Sequence, residues 1–338
     1  MKLSIIIPVY NVEKYIARCL DSLVNQDLAE NDYEILVVND GSRDNSVDIA
    51  KKYAIKYANL KVITQINRGV GSARNKGISL AKGKYIYFID PDDYIAKNSL
   101  LLLLDYSERN DLDILTFLSE KTLSPDMLES KTKEKEGLNI KIVTGIEYIA
   151  NNYYKNEVWW YFIKRDFLKK LGFKFIEGRW MEDAIFTAEI FVKAERVSNV
   201  SIDVHRHAVT PQSAMTNKEP SHYLRVIRDN ANAAEVFKSI IGSIDTLSPK
   251  GNLCIKRLIT RQQSFVFFMM IRMLKSTITL KEIKSTLNNL KKVSAYPLNS
   301  FISEDYNKTS YAILVKLFNI KPVFYLIFII FNPILKRL

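Results

Sequence analysis

The 338-residue sequence predicts an α/β protein, in which a mostly parallel sheet is flanked by helices and followed by a C-terminal helical extension. Two observations support this fold class. Short apolar runs alternate with helical patterns four times in the first ninety-odd residues, which is typical of a parallel sheet with helices on both faces. From Pro220 onward the patterns are helical, with amphipathic stretches at roughly 221–242, 252–274 and 279–290.

The predicted strands are short and apolar. The first four cover residues 3–9, 33–40, 60–66 and 84–90; further strands lie at 114–118 and 197–204, and an aromatic strand runs into a short helix over 158–171. Residues 119–139 are charged and lack periodicity, so we expect a surface insertion or mobile loop there, and a polar loop is expected after residue 204.

Polar segments follow the first four strands. They are Tyr10-Asn11, Asp40-Gly41-Ser42, residues 67–74 and Asp90–Asp93. The carboxyl ends of parallel strands meet at one edge of the sheet, where ligands bind in such folds. We therefore expect these segments to gather into a single site.

The fourth strand ends in three carboxylates within four residues, Asp90, Asp92 and Asp93. They repel one another unless a cation lies among them, and an Asp-x-Asp segment at a strand end can hold Mg²⁺ or Mn²⁺, which bridges to a diphosphate. A solvated acidic turn is the alternative. Close by, Asp40 is a candidate hydrogen-bond acceptor for a base or ribose, and Arg74 is a candidate phosphate ligand.

A helix is predicted to begin at Glu182-Asp183. Transfer of a group to a hydroxyl requires a general base, and Asp183 is the candidate, with Glu182 orienting it or contacting the acceptor. The alternative is structural, because acidic residues at a helix start interact favourably with the helix dipole.

The net charge of +12 is concentrated near the C-terminal end, where residues 272–338 carry eleven Lys/Arg against three Asp/Glu. Within this region the apolar run 323–331 is about half the length that spans a bilayer, so we expect it to lie on a membrane; docking on the protein's own core is the alternative. Two cysteines and the absence of a signal-peptide pattern favour a cytoplasmic protein. No nucleic-acid reader motif is present, so nucleic acid is not an expected partner.

Five segments in order carry a family resemblance: IIIPVYN at 5–11, VVNDGSRDNS at 37–46, NRGVGSARNKGI at 67–78, YFIDPDD at 87–93 and MEDAIF at 181–186. Together they resemble an inverting family 2 glycosyltransferase with the Rossmann-like GT-A fold, of the bacterial surface-polysaccharide type. The resemblance implies a catalytic domain at 1–217, and the helical, basic region with the apolar tail then occupies 218–338. It also implies a UDP-sugar donor, Mn²⁺ or Mg²⁺, and a saccharide or lipid-linked acceptor.

The resemblance also implies roles for individual residues. Pro8, Tyr10 and Asp40 would line the base pocket, and Arg74 would approach the uridine or diphosphate. The carboxylates after the fourth strand would divide their roles, with Asp90 on the ribose, Asp92 on the metal and Asp93 as a support.

The same resemblance assigns the chemistry to the Glu182-Asp183 pair, with Asp183 deprotonating the acceptor hydroxyl so that the anomeric configuration inverts. The segment His205-Arg206-His207 would complete the site, with Arg206 on the nucleotide sugar and His207 on the metal. Here the sequence departs from the family pattern, because Pro211-Gln212-Ser213 stands where a Gly-Ser is more usual.

Two other functions fit parts of the sequence. A nucleotidyltransferase also uses Asp-x-Asp carboxylates on an α/β sheet, but the turn after the first strand has no glycine-rich triphosphate loop. A non-enzymatic nucleotide- or membrane-binding module would use the basic helical tail. The leading expectation is an enzyme peripheral to the inner face of the plasma membrane, with a homodimer as a further possibility.

Overall fold

The computed structural model describes residues 1–124, 126–132, 140–210 and 220–336, which form one eight-stranded sheet and twelve α-helices. The strands are β1 (Leu3–Val9), β2 (Tyr33–Asn39), β3 (Leu60–Thr64), β4 (Tyr85–Phe88), β5 (Tyr94–Ile95), β6 (Ile114–Thr122), β7 (Tyr161–Lys164) and β8 (Val197–Ala208). Their order in the sheet is β3-β2-β1-β4-β7-β6-β8-β5.

The sheet is mixed. Strands β3, β2, β1 and β4 are parallel neighbours, and β6 is parallel to β8. Strand β7 is antiparallel to both β4 and β6, and β5 is antiparallel to β8. The predicted α/β class is therefore confirmed, and β7 is an antiparallel insertion between its two halves.

Seven helices accompany the strands: α1 (Ile16–Val24), α2 (Ser46–Lys56), α3 (Val70–Leu80), α4 (Leu100–Arg109), α5 (Gly145–Asn151), α6 (Arg165–Leu171) and α7 (Glu182–Lys193). The C-terminal region contains α8 (Pro220–Gly242), α9 (Pro249–Met273), α10 (Leu280–Lys292), α11 (Thr309–Asn319) and α12 (Lys321–Leu335). The three predicted amphipathic stretches correspond to α8, α9 and α10, whereas α11 was not predicted.

The central strands β1 and β2 are buried along their whole length, as parallel strands covered on both faces must be. Gly77 explains how closely α3 approaches β1, because a Cβ at this position would lie 2.4 Å from the Cγ2 atom of Ile6. The close approach fixes α3, and with it the turn before α3, against the carboxyl edge of the sheet.

The chain divides into two compact units. The sheet unit contains residues 1–148 and the described residues 155–210, and the helical unit contains residues 149–154 and the described residues from 220 onward. The predicted boundary between residues 217 and 218 lies outside the described residues. That residues 149–154 belong to the helical unit was not predicted.

Two predicted loops differ from the structure. Strand β8 extends to Ala208, so His205-Arg206-His207 lies in a strand paired with β5 and β6. In the predicted insertion 119–139, residues 119–122 belong to β6 and residues 126–132 are held against β8, where Asp203 accepts hydrogen bonds from the Ser130 hydroxyl and the Thr132 amide. Residues 133–139 lie outside the described residues.

Candidate active site

The carboxyl ends of β1, β2 and β4 meet at one edge of the sheet, because these strands are parallel neighbours. Asp40 follows β2 directly, and Asp90 lies two residues after the end of β4. The helix α7 begins with Glu182-Asp183, as predicted. The side chain of Arg74 links two of these segments, the end of β4 and the start of α7.

Arg74 is buried and bonds two carboxylates. Its Nη2 donates to Asp90 Oδ1 at 2.9 Å and its Nη1 donates to Glu182 Oε1 at 2.7 Å. The guanidinium also lies over the ring of Phe175, 5.3 Å from its centroid. The residue thus joins the end of β4 to the start of α7, and its contact with a phosphate or uridine stays a prediction.

The start of α3 packs tightly on the loop that leads to α7. A Cβ on Gly71 would lie 2.5 Å from the carbonyl oxygen of Ile176. The Asn75 side chain donates to the Phe175 carbonyl at 2.9 Å and accepts from the Phe175 amide at 2.9 Å. These contacts hold the loop in place, and the loop in turn positions the acidic start of α7.

Asp183 is half-buried, and its Oδ1 accepts a hydrogen bond from the Ala184 amide at 2.7 Å. Burial raises the pKa of Asp183 well above its ordinary value; the Glu182 carboxylate and Glu157 raise it further, and Arg74 only partly offsets the rise. Burial also raises the pKa of Glu182, again opposed by Arg74. A carboxylate with a raised pKa is a stronger base than an ordinary aspartate, which suits Asp183 to proton abstraction.

Asp93 is buried, and its partners come mainly from β8. Its Oδ1 accepts from the Ala208 amide at 2.8 Å, and its Oδ2 lies 3.0 Å from His205 Nε2. The Nδ1 of His207 lies 3.3 Å from Oδ1. Burial alone would raise the pKa of Asp93, but the two histidines outweigh burial and lower it to about 2, so Asp93 is an ionised support for β8.

The surroundings of Asp92 shift its pKa in the opposite direction from those of Asp93. Burial, together with the negative charges of Asp93 and Asp90, raises the pKa of Asp92 to about 6. The Thr210 hydroxyl donates to its Oδ2 at 3.3 Å. The hydrogen bond to Asp93 raises the pKa of His207, and the charge of Asp92 contributes to the same rise. Asp92 thus carries a negative charge that its surroundings compensate incompletely.

No preformed metal site is seen in residues 1–124, 126–132, 140–210 and 220–336, where no group of three or more His, Cys, Asp or Glu side chains is arranged to hold an ion. The predicted metal ligands Asp92 and His207 both lie beside Asp93 at the end of β4. Together they offer an oxygen and a nitrogen ligand and an excess of negative charge, a combination that fits a divalent cation only if further ligands come from a bound phosphate.

Asp40 is buried and shapes the turn before α3. Its Oδ1 accepts from the Arg68 amide at 2.9 Å and from the Gln65 side chain at 2.8 Å, and its Oδ2 accepts from the Gly69 amide at 2.8 Å. Pro8 is buried within β1, paired with Val38 of β2. These two predicted pocket residues are therefore integrated into the sheet edge.

Tyr10 and Arg206, for which ligand contacts were also predicted, differ in how exposed their side chains are. Tyr10, after β1, is 47% exposed and so remains accessible to a ligand. Arg206 is fully buried, and its guanidinium donates to the carbonyls of Met127 and Glu129 and to the Asp203 carboxylate. These contacts occupy the guanidinium, so Arg206 anchors residues 126–132, and its predicted role as a nucleotide-sugar ligand stays a prediction.

Two site residues escaped the sequence analysis. Arg18, in α1, donates from Nη2 to the Asp92 carbonyl at 2.6 Å and so fixes the acidic turn. Trp159 stacks on the ring of His205 with a centroid distance of 4.2 Å. Trp159 lies within the aromatic stretch predicted at 158–171, which does not indicate its stacking partner, and nothing in the sequence of α1 indicates the contact made by Arg18.

An α/β sheet with an Asp-x-Asp turn at one strand end and an acidic helix start beside it is the arrangement that the resemblance to a GT-A glycosyltransferase implied. The family model Glycosyl transferase family 2 matches residues 4–172, half of the chain, and the chain belongs to this family. The predicted family and enzyme class are thereby confirmed. The nucleotidyltransferase and the non-enzymatic module are set aside.

Curated relatives agree with this family. The chain is 37% identical over 220 residues to the uncharacterized glycosyltransferase EpsJ of Bacillus subtilis, a match that covers 62% of each chain. It is 37% identical over 212 residues to a poly(ribitol-phosphate) beta-glucosyltransferase of Bacillus spizizenii, covering 60% of this chain and 31% of the relative. The chain thus matches less than two thirds of the length of either relative.

A solved structure has the same fold. Staphylococcus aureus TarS 1–349 in complex with UDP superposes with a TM-score of 0.70 at 24% identity, covering 96% of this chain and 90% of the TarS chain. The match extends over the sheet and the C-terminal helices, and so confirms the predicted GT-A fold with its C-terminal helical region.

Proposed function

We propose that this protein is an inverting glycosyltransferase that moves a sugar from a nucleotide diphosphate donor to a hydroxyl of a saccharide or lipid-linked saccharide. One observation carries the proposal. A carboxylate with a raised pKa, Asp183, stands at the start of α7, and the Arg74 bridge connects this helix start to Asp90 at the end of β4. The site therefore combines a base for the acceptor with carboxylates suited to a donor.

In the proposed reaction the Asp183 carboxylate takes the proton of the acceptor hydroxyl. The hydroxyl oxygen forms a bond to the anomeric carbon as the bond from that carbon to the diphosphate oxygen breaks, and the electron pair leaves with the nucleoside diphosphate. A single in-line displacement inverts the anomeric configuration, so an α-linked donor yields a β-glycoside. The neighbouring Glu182 remains paired with Arg74, which holds the helix start in place during the step.

The proposed donor is a UDP-sugar. The fold is that of TarS, whose structure was solved with UDP, and Tyr10 is exposed beside Asp40 at the sheet edge. Asp40 contributes by fixing the turn at residues 67–69, and Asp90 is the proposed ribose ligand. A separate TarS structure contains UDP-GlcNAc, which makes this sugar nucleotide a first choice in a donor screen.

We propose that Mn²⁺ or Mg²⁺ binds with the donor, held by Asp92 and His207 and supported by Asp93. The uncompensated charge of Asp92 favours this assignment. When bound, such a cation neutralises charge on the diphosphate leaving group. The acceptor class is proposed from the relatives, since the Bacillus spizizenii protein is, by its name, a beta-glucosyltransferase that acts on poly(ribitol-phosphate).

The test is a transfer assay with UDP-, GDP- and dTDP-sugars, with and without Mn²⁺. Asp183→Asn should lower turnover by about a hundredfold to ten-thousandfold, the usual contribution of a general base, because the acceptor hydroxyl then has no group to take its proton. Thermal stabilisation by the donor should persist. The matched control is Asp166→Asn, which removes an exposed carboxylate at the start of α6 and should leave turnover unchanged. Retained turnover in Asp183→Asn would remove Asp183 as the base. Absence of stabilisation or transfer with every sugar nucleotide would refute the proposed function.

A further inference from the structure

Helix α12 carries large apolar side chains on both its buried and its exposed face. One face is buried in the helical unit through Phe324, Phe328 and Asn332. The Asn332 side chain donates to the carbonyls of Leu274 and Ser276, which lie just after α9. These contacts fix which side of α12 faces the protein.

The opposite face of α12 is exposed and apolar. It presents Leu326, Ile329, Ile330 and Ile334, which are 57%, 56%, 52% and 58% exposed. A surface helix normally directs polar residues outward. Across the described part of the chain nothing covers these four side chains, so this outward face of α12 is an apolar strip.

Lysines border the strip. Lys284 of α10 lies over the ring of Tyr325 with its Nζ 5.4 Å from the centroid. Lys321, at the start of α12, donates to the Asn288 side chain of α10 at 2.8 Å. Lys336 is exposed at the other end of the helix. The sequence of α10, LKEIKSTLNNLKK, adds further lysines and only one acidic residue on the neighbouring helix.

We infer that the outward face of α12 lies flat on an anionic lipid bilayer, with its apolar side chains among the acyl chains and the lysines at the phosphate level. An apolar helical face bordered by lysines is the arrangement of interfacial membrane helices. Anionic lipid supplies charge complementary to the lysines. A second copy of the chain would instead bring one row of lysines towards another.

The geometry favours a helix on the surface over one that crosses the bilayer. Helix α12 has 15 residues, which at about 1.5 Å per residue fall short of the roughly 30 Å hydrocarbon thickness. No single helix in the described chain has the length and apolar content for a membrane span; α11 and α12 meet that criterion only as a pair, and they are bent by 106°. The hydrogen bonds of Asn332 keep α12 attached to the helical unit.

The test is sedimentation of the full chain with vesicles of phosphatidylcholine alone and of phosphatidylcholine mixed with phosphatidylglycerol. Binding to the mixed vesicles is expected, and it should weaken with added salt because the lysine contribution is screened. Ile329→Asp combined with Ile330→Asp should lower the vesicle partition coefficient at least about tenfold, because both side chains would enter the interface charged. Lys284→Gln with Lys336→Gln should reduce binding to the anionic vesicles selectively.

The matched control replaces two other exposed apolar residues, Ile55→Asp with Leu247→Asp, which are 88% and 90% exposed and lie outside α10 and α12. It adds the same charge and should bind vesicles as the parent chain does. Equal thermal unfolding of all variants shows that the changes are local. Equal binding by the α12 variant and the control, or no vesicle binding at all, would overturn the inference. Retention in the membrane after an alkaline carbonate wash, or a dimer that the α12 variant dissociates, would also overturn it, in favour of a spanning pair or a second copy.

Discussion

The buried ion pair between Arg74 and Glu182 provides a quantitative test of how the site is held together. Both side chains are almost fully buried, at 5% and 7% exposure, and their closest atoms are 2.7 Å apart. Arg74→Met retains an aliphatic stem over Phe175 but leaves Glu182 as an uncompensated buried charge. Breaking a buried pair from one side costs about 3 kcal/mol or more, so we expect a loss of that size in the free energy of unfolding.

A double-mutant cycle separates the ion pair from the packing. Glu182→Gln alone should cost about 1–2 kcal/mol, because the amide still accepts a hydrogen bond from Arg74. The double variant should be less destabilised than the sum of the two changes, with a coupling of about 2 kcal/mol. Asp90→Asn should cost about 1 kcal/mol or less, because the Asp90 side chain is 33% exposed and solvent screens its pair with Arg74.

Urea unfolding followed by tryptophan fluorescence is a suitable assay, because all three tryptophans, at 159, 160 and 180, lie in the sheet unit. The matched control is Arg68→Met, which breaks the exposed pair with Glu177 and should cost less than about 1 kcal/mol. Equal losses for Arg74→Met and Arg68→Met, or strict additivity in the cycle, would refute the reasoning.

Three further changes test other parts of the sheet and helices. Gly71→Ala should destabilise by about 1–3 kcal/mol because its Cβ would overlap the loop before α7, whereas a Cβ on Gly242 meets no atom within 4 Å and Gly242→Ala should be near neutral; urea unfolding followed by circular dichroism reports on both units. Equal losses of unfolding free energy for Gly71→Ala and Gly242→Ala would show that the loop before α7 shifts to accommodate the added Cβ. Burial raises the pKa of Glu189 to about 7, so its protonated form is favoured in the folded state, and Glu189 alone should contribute a loss of about 3 kcal/mol in the free energy of unfolding as the pH rises from 4 to 7. The free energy of unfolding of Glu189→Gln should lack this pH-dependent loss. If the pH dependence of Glu189→Gln equals that of the parent chain, the raised pKa of Glu189 is contradicted. Arg206→Met should increase amide hydrogen exchange in residues 126–132 at least about tenfold, since two hydrogen bonds to the segment are lost together with the bond to Asp203. Exchange as slow as in the parent chain would exclude the anchor role.

The sequence predicts the parts of this protein whose cause is local. The alternation of apolar runs and helical patterns predicts the parallel strands, and the placement of polar residues after them predicts the edge where Asp40 and Asp90 meet. The start of α7 at Glu182 follows from the same kind of pattern. Each of these features depends on a few neighbouring residues and on the known behaviour of parallel sheets.

The rest depends on partners that are distant along the chain. Arg74 pairs with Glu182, 108 residues later, so its sequence neighbourhood suggests a phosphate ligand as readily as a bridge. Arg206 lies between two histidines and indicates a polar loop, but β8 pairs with β5 and turns it into the interior. The antiparallel position of β7 between β4 and β6 also depends on partners that are distant along the chain, because packing of the whole sheet sets the strand order.

The membership of residues 149–154 in the helical unit affects how the protein can be assembled during synthesis. The Tyr154 ring is buried beneath the guanidinium of Arg261, whose Nη2 donates to the Tyr154 carbonyl at 2.9 Å. A ribosome releases Tyr154 more than a hundred residues before Arg261. Residues 149–154 are therefore synthesised, as are β7 and β8, before Arg261 is present to contact Tyr154. A chain shortened before α9 never supplies that partner, so its Tyr154 ring would stay uncovered, and exposed aromatic surface promotes aggregation.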